Sequence, residues 1–412
     1  MDENVAGAQR SALTRKLLDR SAILAVLCGL CAPWAAAKTQ NAERKTAVGW
    51  EFVGLPALNF STDEGFGYGV LAEIYNYGTG LQPYKYTIQP TLFLTTKGRR
   101  DVVVFFDAPH VLPNDWRFDV SFAREQQLAS PYYGVGNATV YDSTLERAPN
   151  PYYYRYEKVQ LRVFANVQHR IGSAPARVLL GLGLADVQTD ATPFDSGTTL
   201  LAAQLGATAA PKGTVGFLRA GLIWDTRDRE IGPNKGTWAE LLAQRVDGAL
   251  GATNEFTRVT ATVRHYVPIR ANLVGAMRLL VQQASGDVPL FELTNLQSSY
   301  KNQDGLGGDK SLRGIPKSRY QGKGVVLANT ELRWRFKEFS LRGKPAFLLA
   351  SGFVDAGRVW TDAIDVGELV KNLHAGYGGG LRIGLGPSFL VAVDYGRSSE
   401  SSQLYIGLGY LF

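Results

Sequence analysis

Apolar and polar residues alternate with a period of two along almost the whole chain after Trp50, and this pattern constrains the fold most. In the stretch VQLRVFANV, Val159 and Leu161 share one face, whereas Gln160 and Arg162 share the other. Two architectures fit. A soluble sandwich would bury the apolar face against a second sheet. A membrane barrel would turn that face to lipid and line a wet lumen with the polar one.

The number and spacing of the alternating segments favour the barrel. About sixteen segments can be delimited, each near the 9–11 residues of a tilted spanning strand. The long links all follow odd-numbered segments, at 127–152, 189–214, 285–322 and 357–372. Short turns at one side and long loops at the other are typical of a membrane barrel. The sequence predicts an all-β fold, a 16-stranded antiparallel transmembrane β-barrel spanning residues 50–412.

The tryptophans support the same topology. Trp50, Trp116, Trp224 and Trp334 all fall at strand ends that it places on the periplasmic side. A girdle of aromatic residues at the membrane interface predicts this clustering.

The N-terminus has the parts of a secretory signal peptide: basic residues, an apolar run and a small-residue cleavage site. We predict that residues 1–37 are removed by cleavage after Ala37, leaving 38–49 as a short periplasmic tail. The apolar run is too short to span a bilayer. Both cysteines, Cys28 and Cys31, lie within it, so the exported chain would need no disulfide chemistry.

Composition argues against several other classes of function. The net charge of +7 is mild for 412 residues, and Lys and Arg are spread evenly, which argues against nucleic-acid binding. The four histidines are scattered without the spacing of metal ligands, and no Gly-x-Ser-x-Gly nucleophile motif occurs. We therefore predict no catalytic residue, no metal and no cofactor.

The last eight residues, YIGLGYLF, resemble the C-terminal assembly signal of bacterial outer-membrane barrels. Gly407 lies five residues before the end, and Tyr405 stands where a polar residue is more usual. The expected last strand, 403–412, carries an apolar row of Leu404, Ile406, Leu408, Tyr410 and Phe412. The resemblance implies that barrel-assembly machinery recognises this strand.

Four motifs, in order along the chain, carry a family resemblance. They are WDTRDREIGPNKGT at 224–237, LRGI at 312–315, NTELRWRF at 329–336 and GFVDAG at 352–357. Together they resemble the BamA/TamA superfamily of outer-membrane barrels, the bacterial surface antigen family. Its members have sixteen strands and an Arg-Gly motif in the loop before strand 12.

The resemblance implies that the long loop between strands 11 and 12 folds into the lumen. Its Arg313-Gly314 pair would then anchor it, with Arg313 meeting Glu331 on strand 12 and Asp355 on strand 13. Alternation independently turns both carboxylates inward. A guanidinium suits such a position because its planar fork of donors can engage carboxylates bidentately. The register of strands 12 and 13, and hence the separation of the carboxylates, is not predicted.

The chain departs from the family pattern at two places. Ile315 follows the Arg-Gly motif where an aromatic residue is usual. Only about ten residues separate Ala37 from the first strand, so we expect the periplasmic POTRA domains, which most relatives use to receive client proteins, and any fused enzyme domain to be missing. We therefore expect any docking function to come from an unidentified periplasmic partner.

These observations predict a protein of the Gram-negative cell outer membrane, surrounded by its lipid. The family resemblance implies a role in membrane-protein or lipid/protein translocation or assembly, together with a partner. The alternatives are a passive pore or a surface adhesion barrel. Inward Arg162, Arg219, Arg333 and Arg382 would make such a pore lean towards anions.

Overall fold

The computed structural model describes residues 49–412 except 62–63, 80, 82–83, 114, 148–149, 195–196, 209, 231, 301–302, 342–343 and 386–388. The predicted signal peptide, 1–37, and all of the predicted tail but Gly49 lie outside the described residues.

Sixteen strands form one antiparallel sheet that closes into a barrel, which confirms the predicted fold. The strands are β1 (Gly49–Ser61), β2 (Gly65–Tyr77), β3 (Tyr86–Thr95), β4 (Arg99–Ala108), β5 (Trp116–Pro131), β6 (Arg155–Arg170), β7 (Ala176–Asp190), β8 (Gly213–Asp225), β9 (Gly236–Val246), β10 (Phe256–Arg270), β11 (Leu273–Gly286), β12 (Gly324–Leu341), β13 (Lys344–Trp360), β14 (His374–Leu385), β15 (Phe389–Ser398) and β16 (Ser402–Leu408).

Each strand pairs with its sequence neighbours, and the wall closes at a seam between β1 and β16. The register of β1 with β2 runs without interruption from Gly49 to Ser61. Across the seam, the described residues form two pairs, Phe60 with Ile406 and Ser61 with Tyr405. Residues 49–59 of β1 therefore have no described strand partner on the seam side.

The two ends of the barrel differ in their connections. The longest links, 132–154, 191–212, 287–323 and 361–373, all follow odd-numbered strands and define the long-loop end. The opposite end, which we call the short-turn end, has mostly short turns. Among their described residues, the links contain one short α-helix, α1 (Leu200–Leu205), and 3-10 turns at Ser143–Glu146, Gly248–Leu250, Leu290–Glu292 and Val366–Glu368. Within the described part of the chain, none of the helices has the length and apolar character needed to cross a bilayer.

The wall exposes apolar side chains on its outer face, as the alternation predicts. In β7, Leu180, Leu182 and Leu184 lie on the outer face and are 61%, 60% and 51% exposed. Leu179 and Ala185 belong to the opposite face, point inward and are buried. The apolar face therefore points away from the lumen, as in a membrane barrel.

The four tryptophans predicted to share one side of the membrane, of the seven in the chain, lie together at the short-turn end. Trp50, Trp224 and Trp334 are about half exposed on the outer face, and Trp116 packs against His169 of the next strand with ring centroids 4.4 Å apart. They mark one edge of the apolar band.

Candidate functional site

The loop between β11 and β12, residues 287–323, folds into the lumen from the long-loop end. Residues 311–322 are all buried. Leu306, Leu312 and Ile315 pack with wall residues such as Leu327 and Val359 in one buried cluster. Ile315, which replaces the usual aromatic residue, thus finds an aliphatic environment at the loop tip.

Two glycines allow the loop to turn sharply and approach the wall. Gly307 has a φ of 118°, and a Cβ there would lie 2.0 Å from the carbonyl oxygen of Pro316. Gly314 has a φ of 88°, and a Cβ there would lie 2.6 Å from the backbone nitrogen of Arg397 on β15. Only glycine combines this backbone conformation with such close approach.

Arg313 lies fully buried between two carboxylates. Its Nε and Nη2 donate to the two oxygens of Asp355 at 2.8 and 3.1 Å, and its Nη1 donates to Glu331 Oε2 at 3.1 Å. Its backbone N–H also donates to Asp355. The guanidinium lies over the ring of Phe353, 3.4 Å from the centroid. The arrangement is a bidentate fork on one carboxylate and a single bond to the other.

The register of β12 and β13 explains how one arginine reaches both acids. Asp355 pairs directly with Asn329, and Glu331 pairs with Phe353, so the two carboxylates are diagonal neighbours on the inner face. Asn329 Nδ2 also donates to Asp355 at 2.7 Å and to the carbonyl of Ser311 at 2.6 Å. The wall therefore binds both the side chain and the backbone of the loop tip.

The charge network extends beyond the predicted residues. Glu331 also pairs with Arg333 and Arg382, at 3.2 and 3.1 Å, and Asp394 on β15 lies 3.5 Å from Arg313 and 3.1 Å from Arg382. Three guanidinium groups thus face Glu331, Asp355 and Asp394. Sequence reasoning missed Asp394, although the alternation of β15 places it on the inner face and could have indicated it.

The backbone of Gly314 joins the loop to the last two strands. Its N–H donates to the hydroxyl of Tyr405 at 3.2 Å. Its carbonyl accepts from Ser398 Oγ and Ser401 Oγ, both at 2.8 Å. Tyr405, at the polar position of the predicted assembly signal, therefore lies under the loop tip.

Two further cations of the loop bind the hairpins on either side of the seam. Lys317 Nζ lies 2.6 Å from Glu64, in the link between β1 and β2. Arg319 is 1% exposed and donates from Nε and Nη2 to Glu400, in the link between β15 and β16, at 2.7–3.0 Å. The loop consequently connects the first hairpin to the last one.

The C-terminal segment differs from its prediction. The prediction that the last strand and its apolar row continue to residue 412 is wrong beyond Leu408, where β16 ends. Gly409 has a φ of 84° and turns the chain out of the wall. Leu411 and Phe412 are buried, packed in one cluster with inward-facing Tyr266.

The remaining residues of the predicted assembly signal lie at the short-turn end of the barrel. The Tyr410 ring lies under the guanidinium of Arg333, 4.5 Å from centroid to Cζ, and Phe412 accepts a hydrogen bond from Arg333 Nη2 at 3.1 Å. Gly407 pairs with Ala392 in the wall. Tyr405, Gly407, Tyr410 and Phe412 are thus divided between the wall and the lumen mouth.

A closed sixteen-stranded barrel with a buried loop in its lumen is the architecture of a bacterial outer-membrane barrel. The Omp85 superfamily domain matches residues 95–412. The chain belongs to the Omp85 superfamily, whose members are outer-membrane transporters and assembly factors.

Solved structures show the same fold. BamA from Haemophilus ducreyi lacking POTRA domains 1–3 is similar, with a TM-score of 0.56 and 15% identity over 89% of this chain and 71% of that chain. CdiB from Escherichia coli is similar, with a TM-score of 0.56 and 12% identity over 87% of this chain and 63% of that chain. The chain thus spans less than two thirds of the length of CdiB. Comparison with curated protein sequences gave no match.

Proposed function

We propose that this barrel acts in translocation or assembly of membrane proteins or lipids, and that it opens laterally between β1 and β16 to do so. The observation that carries the proposal is the short seam. Two described residue pairs close it, and among the described residues 49–59 has no strand partner on the seam side, which leaves backbone N–H and C=O groups there for another strand. An unpaired strand edge is a template on which another chain can add a strand.

The occupied lumen supports lateral opening over axial flow. Residues 311–322 are buried within the barrel, and Arg313 binds three carboxylates of the wall. A passive pore would need a continuous water-filled path through this region. The proposed export signal at 1–37, a periplasmic partner for docking and recognition of the C-terminal strand by assembly machinery belong to the same proposal. No catalytic step is part of it.

Site-specific crosslinking tests the seam. A photoreactive amino acid at Phe52, which is 71% exposed on β1, should crosslink to polypeptides in the membrane. Cysteines at the paired positions Phe60 and Ile406 allow the seam to be locked by oxidation and released by reduction. We expect the Phe52 crosslinks to disappear in the locked barrel and to return after reduction.

The control places the same photoreactive group at Leu180, which is 61% exposed on β7, away from the seam. Its crosslinks should not respond to the lock. If Phe52 gives the same crosslinks in locked and released barrels, lateral opening is contradicted.

A further inference from the structure

Two arginines point out of the barrel wall near the long-loop end. Arg100 on β4 and Arg124 on β5 are both exposed. Arg100 pairs in register with Gln126, and Arg124 with Val102, so the arginines are diagonal neighbours on one face. Diagonal neighbours lie about 7–8 Å apart, which lets two long side chains converge on one group. Val102 and Phe122, next to them on the same face, are 45% and 41% exposed.

Their height places them at the edge of the apolar band. Arg124 lies eight residues beyond Trp116 along β5, or about 27 Å of strand, which at a tilt near 40° is about 20 Å of height. Arg100 lies level with Gln126, about 26 Å above Trp116 by the same reckoning. The apolar band of such a barrel is about 25 Å tall. Both guanidinium groups therefore lie where lipid headgroups begin.

Neither arginine has a protein partner among the described residues: their side chains form no ion pair or hydrogen bond there. Arg245, an outward arginine at the same end of β9, is different. It pairs with Asp247 and Glu255, both at 2.9 Å. The charge of Arg245 is thus neutralised within the protein, whereas no residue in the described part of the chain neutralises those of Arg100 and Arg124.

Carboxylates on the neighbouring strands do not neutralise the pair. Glu157 on β6 accepts a hydrogen bond from Gln126 Nε2 at 2.8 Å. Asp186 on β7 is two strands away from Arg124 in the same row, about 10 Å at the usual strand spacing. Two cations at the edge of the apolar band thus remain available to an external anion.

We propose that Arg100 and Arg124 bind phosphate groups of a lipid headgroup in the leaflet at the long-loop end. Guanidinium groups bind phosphate oxygens through paired N–H donors. An arginine on the lipid-facing surface costs little near the interface, and a basic cluster at headgroup depth attracts anionic lipid. The acyl chains would lie on the apolar surface beside Val102 and Phe122.

Lipid titration tests the proposal. The full chain is folded in micelles of an uncharged detergent, and lipid A carrying two phosphate groups is added at increasing concentration. Bound lipid is counted by native mass spectrometry. We expect the Arg100→Gln/Arg124→Gln double variant to bind about tenfold more weakly or worse. The matched control, Arg245→Gln, should stay within about twofold of the wild type.

Three comparisons separate the sources of binding. Lipid A without its phosphate groups should bind the wild type as weakly as lipid A binds the double variant. Arg100→Lys/Arg124→Lys keeps the charge without the fork and should bind with intermediate affinity. Excess inorganic phosphate should leave lipid binding in place.

The proposal is overturned if the double variant binds like the wild type, if Arg245→Gln loses as much affinity, or if inorganic phosphate displaces the lipid. Heat-dependent gel mobility verifies that each variant is folded. Both side chains point out of the wall, so their replacement should leave the fold intact. Where the glutamine variant nevertheless folds poorly, the lysine variant is tested in its place.

Discussion

Arg313 meets a requirement that a lysine could not meet. Three of its side-chain nitrogens donate in the plane of one guanidinium, two to Asp355 and one to Glu331. The same planar group stacks on the ring of Phe353. A lysine ammonium offers a point charge without a fork or a stacking face. The position therefore depends on shape as well as charge.

Replacing Arg313 with alanine should leave buried carboxylates without their cation. By analogy with broken buried ion pairs, we expect a loss of about 3–5 kcal/mol in the free energy of unfolding, and Arg313→Lys should lose less. Unfolding in urea and heat-dependent gel mobility measure the change. Lys310→Ala in the same loop is the control, because its pair with Asp309 is exposed and worth about 0–1 kcal/mol. Equal stability of the two alanine variants would contradict an anchoring role.

Glu64 gives the loop attachment a defined pH dependence. Burial acts to raise its pKa, but the charges of Arg99 and Lys317 outweigh burial and lower the pKa to about 2 from 4.5. A carboxyl group whose pKa is lowered by folding stabilises the fold above its unfolded pKa. That contribution is lost as the pH falls from 4.5 towards 2.

The stability difference between the wild type and Glu64→Gln should therefore be constant above pH 4.5 and shrink between pH 4.5 and about 2. Urea unfolding over a pH series measures it. The control is Glu338→Gln, whose carboxylate pairs with Arg335 and is 71% exposed. A difference that does not change with pH would show that Glu64 is not held as an ion pair.

At the scale of elements, the loop between β11 and β12 connects the two hairpins that flank the seam. Lys317 binds the β1–β2 link through Glu64, and Arg319 binds the β15–β16 link through Glu400. The strands themselves contribute two described pairs at this place. The loop therefore strengthens the closure of the wall at a place where the strands themselves have few described pairs.

A double-mutant cycle measures this attachment. Arg319→Gln and Glu400→Gln should each destabilise the barrel, and their coupling should be about 1–3 kcal/mol because Arg319 is buried and binds both oxygens of Glu400. The matched cycle on Arg245 and Glu255, both about half exposed, should give about 0–1 kcal/mol. Coupling no larger than in that exposed pair would contradict the bridging role of the loop.

The sequence predicts the strands and the faces of their residues better than the register and the ends of the strands. Period-two alternation predicts which face Glu331, Asp355 and Asp394 occupy, because side-chain direction is local. It does not predict the register of β12 with β13, which depends on a bulge between Arg335 and Lys337 that no local pattern marks. The sequence does not predict the end of β16 for a related reason: Gly409 fits a strand and a left-handed turn equally well.

For the whole molecule, the filled lumen predicts electrical behaviour. With residues 311–322 buried inside the wall, the wild-type barrel in a planar bilayer should show no large, steady current. Arg313→Ala should loosen the loop and give more frequent openings, whereas Lys310→Ala should behave like the wild type. A large, steady current through the wild type would favour the passive pore.

The inward turn at Gly409 also decides where the molecule can be labelled. Phe412 lies inside the mouth of the barrel, where its carbonyl oxygen accepts a hydrogen bond from Arg333. An affinity tag fused after it would begin in that enclosed space and disturb the aromatic contact with Tyr266. Residues 361–367, between β13 and β14, are all exposed, so a tag or fluorophore inserted there would leave the enclosed end untouched.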